Sequence, residues 1–72
     1  MEDFEVINNK IRIENVKANR AIEFKQELEK DGLILNVDFE WRWHSPANHY
    51  VSNVEFIFNN PIYATFYKLR WE

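Results

Sequence analysis

Residues 35–44 read LNVDFEWRWH, and every second side chain is large and apolar. A period of two marks a strand with one face in a core and one in water. Leu35, Val37, Phe39, Trp41 and Trp43 share one face; Asn36, Asp38, Glu40, Arg42 and His44 share the other. Residues 50–59, YVSNVEFIFN, alternate as well, with Tyr50, Val54, Phe56 and Phe58 against Asn53, Glu55 and Ile57. Between the two runs lies SPANH, where Pro46 breaks any ladder because it has no N–H to donate. The spacing predicts an antiparallel hairpin with its rings turned inward and its carboxylates turned to water.

A half-apolar sheet needs a second layer over its apolar face. Residues 16–31, VKANRAIEFKQELEKD, supply one as a helix with Asn15 as N-cap. Ala18, Ala21, Ile22, Lys25 and Leu28 fall on its buried stripe, with Phe24 at the edge, and Gly32 ends it as a left-handed cap. Residues 60–72, NPIYATFYKLRWE, carry two signals. Alternation would align Tyr63, Thr65, Tyr67, Leu69 and Trp71 on a strand. Asn60 as N-cap with Pro61 at the first helical position favours a helix, and the helix is the expectation. Its buried stripe would be Ile62, Thr65, Phe66 and Leu69, leaving Tyr67 and Trp71 pointing away.

Residues 4–14, FEVINNKIRIE, change parity at Asn8-Asn9. Either a bulge or a tight turn produces such a change; one long bulged strand is expected. The order is then β-α-β-β-α. The expected fold is α+β: a three-stranded, mostly antiparallel sheet in order 1-3-2, both helices on one face, a ferredoxin-like unit lacking its last strand. Its first strand is left as an open edge that invites pairing.

Seventy-two residues are expected to form one domain, residues 1–72, with a thin core. Without cysteine there is neither a disulfide nor a thiolate metal site to reinforce it. Six Phe, three Tyr and three Trp are more rings than so short a chain easily hides, which favours a homodimer or a protein partner. A net charge of −3 provides no field to attract phosphate. The N-terminal MEDFEVINN is acidic and unlike a signal peptide, and no apolar run reaches the length of a membrane span, so a cytoplasmic protein is expected.

Tyr63, Tyr67, Arg70 and Trp71 are the interface candidates, since rings beside cations match the composition of binding hot spots. Glu40, Arg42 and His44, with His49 in the loop, form an alternative polar-face site. The plain reading of that face is a solvated surface with weak charge pairs; the functional one is nucleic-acid binding, which its carboxylates oppose. His44 and His49 do not have a recognised metal-ligand spacing, and Ser45 has no triad-like neighbourhood. There is no phosphate-binding loop, so no metal, cofactor or enzymatic activity is expected.

DFEWRWHSP, followed by VEFIFNNPIYATFYKLRW, resembles short uncharacterised proteins of tailed phages that infect marine cyanobacteria. Those proteins end in a similar aromatic strand followed by ATF-aromatic-x-L-[KR]-W. The resemblance covers the last half of the chain. It implies an accessory or host-directed protein acting in the cytoplasm of an infected bacterium, and it transfers no functional residues.

Overall fold

A computed structural model describes residues 2–44 and 52–72. The elements are β1 (Asp3–Ile7), β2 (Lys10–Glu14), α1 (Ala18–Lys30), β3 (Phe39–His44), β4 (Asn53–Phe58) and α2 (Pro61–Trp71). The four strands form one antiparallel sheet in the order β1-β2-β4-β3. The molecule is α+β, but the expected three-stranded sheet in order 1-3-2 is replaced by this four-stranded one.

The extra strand comes from Asn8-Asn9. These residues close a two-residue turn, with Ile7 paired to Lys10 and Asn8 at φ 57°. Asn tolerates this left-handed conformation better than other non-glycine residues, so the parity change marks a hairpin rather than a bulge. The turn is fastened to β4: the Phe58 N–H donates to the Asn9 carbonyl at 2.8 Å, and the Asn9 amide donates to the Phe58 carbonyl. Phe4 then pairs with Ile13 and Val6 with Ile11, so both halves of the hairpin point their apolar side chains the same way. β1 occupies the edge that three strands would have left open.

One face of the sheet is apolar across all four strands. Ile11 lies opposite Phe56, Ile13 opposite Val54, Trp41 opposite Phe56 and Phe39 opposite Phe58. Ile11, Ile13, Val54, Phe56 and Phe58 are fully shielded, and they join Ala21, Phe24 and Leu28 of α1 and Ala64 and Tyr67 of α2 in one core. Trp41 and Trp43 are half-buried against it. The rings of β3 and β4 do point beneath the helices.

α1 begins later than Asn15 suggests. Asn15 has φ 59°, incompatible with the extended backbone of an N-cap, so the helix starts at Ala18 with Lys17 in the capping position. Its buried line is Ala21, Phe24 and Leu28, while Ile22 is exposed. Phe24 displaces the smaller Ile22 because its ring meets Phe4 edge-on at 6.1 Å and Trp71 at 4.6 Å. The far end closes as expected at Gly32, at φ 95°. Gly32 N–H donates to Glu29 and Leu33 N–H to Leu28, which is the Schellman arrangement.

The strand expected over residues 35–44 is shortened to Phe39–His44. The Asp38 carboxylate accepts from the Ile34 N–H at 2.8 Å, and Asn36 sits at φ 68°. A side chain that captures a nearby backbone donor competes with the ladder, so residues 34–38 curl into a turn and Val37 is exposed.

α2 is helical and capped as expected: the Asn60 side chain accepts from the Ile62 N–H at 3.0 Å, with Pro61 in the first turn. Its rotation about its own axis is the reverse of the expectation. Ala64 and Tyr67 are buried and Trp71 is half-buried, whereas Ile62, Phe66 and Leu69 are exposed. Tyr67 stacks on Phe58 at 5.8 Å with ring planes 11° apart, and Trp71 lies 5.6 Å from Phe56. Large rings with a polar tip gain more from this position than the aliphatic side chains do, provided the tips find partners.

Phe56→Ala removes a fully shielded ring at the centre of the sheet. It is expected to lower unfolding free energy by about 3–5 kcal/mol in a urea titration; a loss below about 1 kcal/mol would contradict this packing.

Candidate functional site

Tyr63, Tyr67, Arg70 and Trp71 are brought together, but as a clamp. The Tyr67 hydroxyl donates to Asp31 at 2.7 Å, and the Trp71 indole N–H donates to Glu27. Arg70 spans both carboxylates, 2.9 Å from Asp31 and 3.1 Å from Glu27. Tyr63 rests half-buried against Phe58. Burial, reinforced by the Asp31 hydrogen bond and charge, holds the Tyr67 phenol well above its ordinary pKa, so it stays protonated as a donor. The expectation that Tyr67 and Trp71 point away is corrected: Tyr67 is only 2% exposed. Their hydrogen bonds to α1 explain why two polar-tipped rings can sit inside.

The surface this leaves outside is apolar. Ile62 is 71% exposed, Phe66 52% and Leu69 71%. Positions 62, 66 and 69 fall at spacings of four and three, which places them along one line of a helix. Thr65, also exposed, lies beside them. A helix on the surface of a globular protein normally turns charge to water, as α1 does with Glu23, Gln26 and Lys30. α2 is apolar on both sides. The charges bordering the line are already neutralised within the chain, Lys68 by Glu72 at 2.8 Å and Arg70 by Glu27 and Asp31.

Sequence reasoning took Ile62, Phe66 and Leu69 for core. The available signal was Ala64: a small residue marks the side on which a helix lies close to a sheet, and Tyr67 and Trp71 flank that side.

The alternative polar site lies on the opposite face of the sheet. Glu40, Arg42 and His44 project there from β3, and Arg42 faces Glu55 across the strands. Glu55 is the centre of the face, 3.0 Å from Lys10 and 3.1 Å from the His44 ring. Glu40 and Arg42 approach only to 3.9 Å, and Arg12 lies 3.3 Å from Glu5. Trp41 and Trp43, the rings that could stack a base, lie on the other side, Trp41 against Phe56. The face interleaves both signs of charge rather than presenting a basic stripe. His49 and Ser45 lie outside the described residues. Among the described residues no group of three His, Cys, Asp or Glu is arranged to hold a metal.

A shallow groove of about 230 Å³ opens beside Asp38, Phe39, Phe58 and Asn59. Its polar groups serve the fold: Asn9 donates to Phe58, and Asn59 donates to the Val37 carbonyl at 3.2 Å. Among the described residues, no helix is long and apolar enough to cross a membrane. No protein-family model, curated protein or solved structure matches the chain.

Partial burial pushes the Glu55 carboxyl up, but hydrogen bonds and charge from Lys10 and His44 outweigh it and hold the pKa below the ordinary 4.5. A carboxylate with a depressed folded pKa contributes stability above its unfolded pKa, and loses it as pH falls through the folded one. Between neutral pH and pH ~3 the protein is therefore expected to lose more stability than Glu55→Gln does. Urea midpoints across that range check this, and parallel curves would contradict it.

Proposed function

We propose that this chain is a small protein-interaction domain that self-associates and has no chemistry of its own. The observation that carries the reading is the outward face of α2, where Ile62, Phe66 and Leu69 stand in water although the same helix already buries its other face. A surface helix normally turns its polar side outward, and α2 turns an apolar line outward instead. Truncating such an exposed line would cost the monomer little, so its apolar character reflects what it docks against rather than what holds the fold.

The occupant we assign is a second copy. The line is bordered by charges paired within the chain, so it asks for no oppositely charged partner. Two copies that each carry −3 can approach across a neutral patch. A line of only three exposed apolar side chains sets the expectation of a weak, micromolar association. The resemblance to short phage proteins supports a setting in the cytoplasm of an infected bacterium, where such a domain would act as an accessory or host-directed protein.

Sedimentation velocity from about 1 to 200 µM tests the reading, the range suiting a micromolar association. A monomer–dimer equilibrium is expected, and a clean monomer throughout would overturn it. Leu69→Lys places a helix-favouring cation in the last turn of α2. It is expected to change monomer stability by less than about 0.5 kcal/mol and to weaken dimerisation by at least about tenfold.

A further inference from the structure

We propose that the two edges of the sheet pair with each other between copies, β1 of one against β3 of the next, so that the sheet continues from molecule to molecule. This contact lies apart from the outer line of α2 and does not depend on it.

The polar face of the sheet carries a straight row of charge. Glu5 lies opposite Arg12, Arg12 opposite Glu55, and Glu55 opposite Arg42. The signs alternate across all four strands, so the row ends in a carboxylate on β1 and a guanidinium on β3. A second copy laid beside the first sets its Glu5 against Arg42 and carries the alternation on. Both ends are accessible: the Glu5 side chain is 51% exposed and that of Arg42 61%. On the helix face the same register sets Phe4 against Trp43 and Val6 against Trp41, four side chains that their own chain only half buries.

The backbone agrees with the charges. The Asn8-Asn9 turn closes on Ile7 and Lys10, a pair that exchanges hydrogen bonds in a two-residue hairpin, and bonded pairs alternate with unbonded ones. Phe4 and Val6 therefore aim their N–H and C=O groups away from β2. On β3 the Asp38 carbonyl accepts from the Asn59 N–H, so the even positions bond to β4 while Trp41 and Trp43 aim outward. These four residues are the ones that the charge row sets face to face. The lengths match as well. Leu35 forms a bridge to Phe39, and the Asn36 N–H donates to the Phe39 carbonyl at 2.7 Å, which leaves residues 40–44 as the open edge of β3. β1 also offers five residues, Asp3–Ile7. In four alternating strands the outer two run in opposite directions, so a copy in the same orientation presents β1 antiparallel to β3, with its helices on the same side.

Charge on an edge strand keeps like edges apart. The fullest β1–β1 register opposes Glu5 to Glu5, and the fullest β3–β3 register over residues 40–44 opposes Arg42 to Arg42. A slip of two residues in the β1–β3 register opposes Glu5 to Glu40, and the opposite slip carries Phe4 past the end of β3. Five residues from each copy is few beside the roughly 20–30 a side of a standard interface, so association at about millimolar concentration is expected.

The chain has no cysteine, so introduced thiols report on the register without competition. Asp3 and His44 of successive copies would form an unbonded pair with Cα atoms ~4.5 Å apart, within the roughly 4.4–6.8 Å that a disulfide spans. An equimolar mixture of Asp3→Cys and His44→Cys, at about 1 mM in total, is expected to give the mixed disulfide dimer. Each variant alone should cross-link at least about tenfold more slowly, because like edges do not meet. Adding Arg42→Glu to the His44→Cys chain should slow the mixed product at least about tenfold by opposing two carboxylates. Adding Glu5→Lys to the Asp3→Cys chain as well should restore it. Leu69→Lys in both chains should leave it unchanged.

No mixed product, or one formed no faster than the single-variant products, would overturn the edge pairing and leave the α2 reading standing. A mixed product indifferent to Arg42→Glu would overturn the register set by the charge row. Its loss with Leu69→Lys would overturn the independence of the two contacts. A mixed product from a chain that sediments as a monomer at lower concentration would support the edge pairing and overturn the α2 contact.

Discussion

Phe56 sits mid-strand in β4 with Ile11 opposite it on one neighbour, Trp41 opposite it on the other, and Trp71 of α2 above it. No water reaches this ring, and each element of the core contacts it or one of its neighbours. The dependence runs outward from there. β4 must be central, so β2 and β3 must flank it. The aromatic side must be roofed, so α1 and α2 share that side. The remaining sheet face is then left to Lys10, Glu55, His44 and Arg42. A chain without disulfides or thiolate metal sites has little else to hold it, and Phe24, Phe39, Phe56 and Phe58 are the largest of its fully buried side chains.

The two helices are joined by the Phe24–Trp71 ring contact and by a set of polar contacts. Glu27 of α1 and Asp31 at its C-cap accept from Trp71, Tyr67 and Arg70 of α2. These bonds let the polar tips of buried rings be satisfied at the rim of the core, which is the condition for burying Tyr and Trp at all. They also fix the rotation of α2. Once Tyr67 and Trp71 point inward, Ile62, Phe66 and Leu69 have to point outward. The candidate docking surface is thus a geometric consequence of how the core is closed.

Much of the architecture was legible in the residues. Alternation in FEWRWH and NVEFIF located β3 and β4 and placed their rings inward, and Asn60-Pro61 announced α2. Two of the features that were not legible show the physical reason most clearly. The parity change at Asn8-Asn9 is produced equally by a bulge and by a two-residue turn. Only the partner strand decides between them, and β4 does so by bonding to Asn9. In α2, both the Ile62–Phe66–Leu69 line and the Ala64–Tyr67–Trp71 line are apolar. Hydrophobic periodicity therefore gives the helix but not its rotation, and the acceptors on α1 that settle the matter lie more than thirty residues away in the chain. The site was missed for the same reason that makes it a site: its residues look like core.

Which side of α2 faces the sheet decides which of its apolar lines is left in water. An isotope-filtered nuclear Overhauser spectrum, recorded on an equal mixture of labelled and unlabelled chain at high concentration, examines both sides together. Ring protons of Tyr67 and Trp71 should show contacts within one chain to Phe58 and Phe56, while the methyls of Ile62 and Leu69 should show no contacts within one chain beyond α2 itself and should show contacts between chains. Contacts within one chain from Ile62 or Leu69 to Phe56 or Phe58 would mean that α2 is turned the other way, and the docking surface would disappear with it.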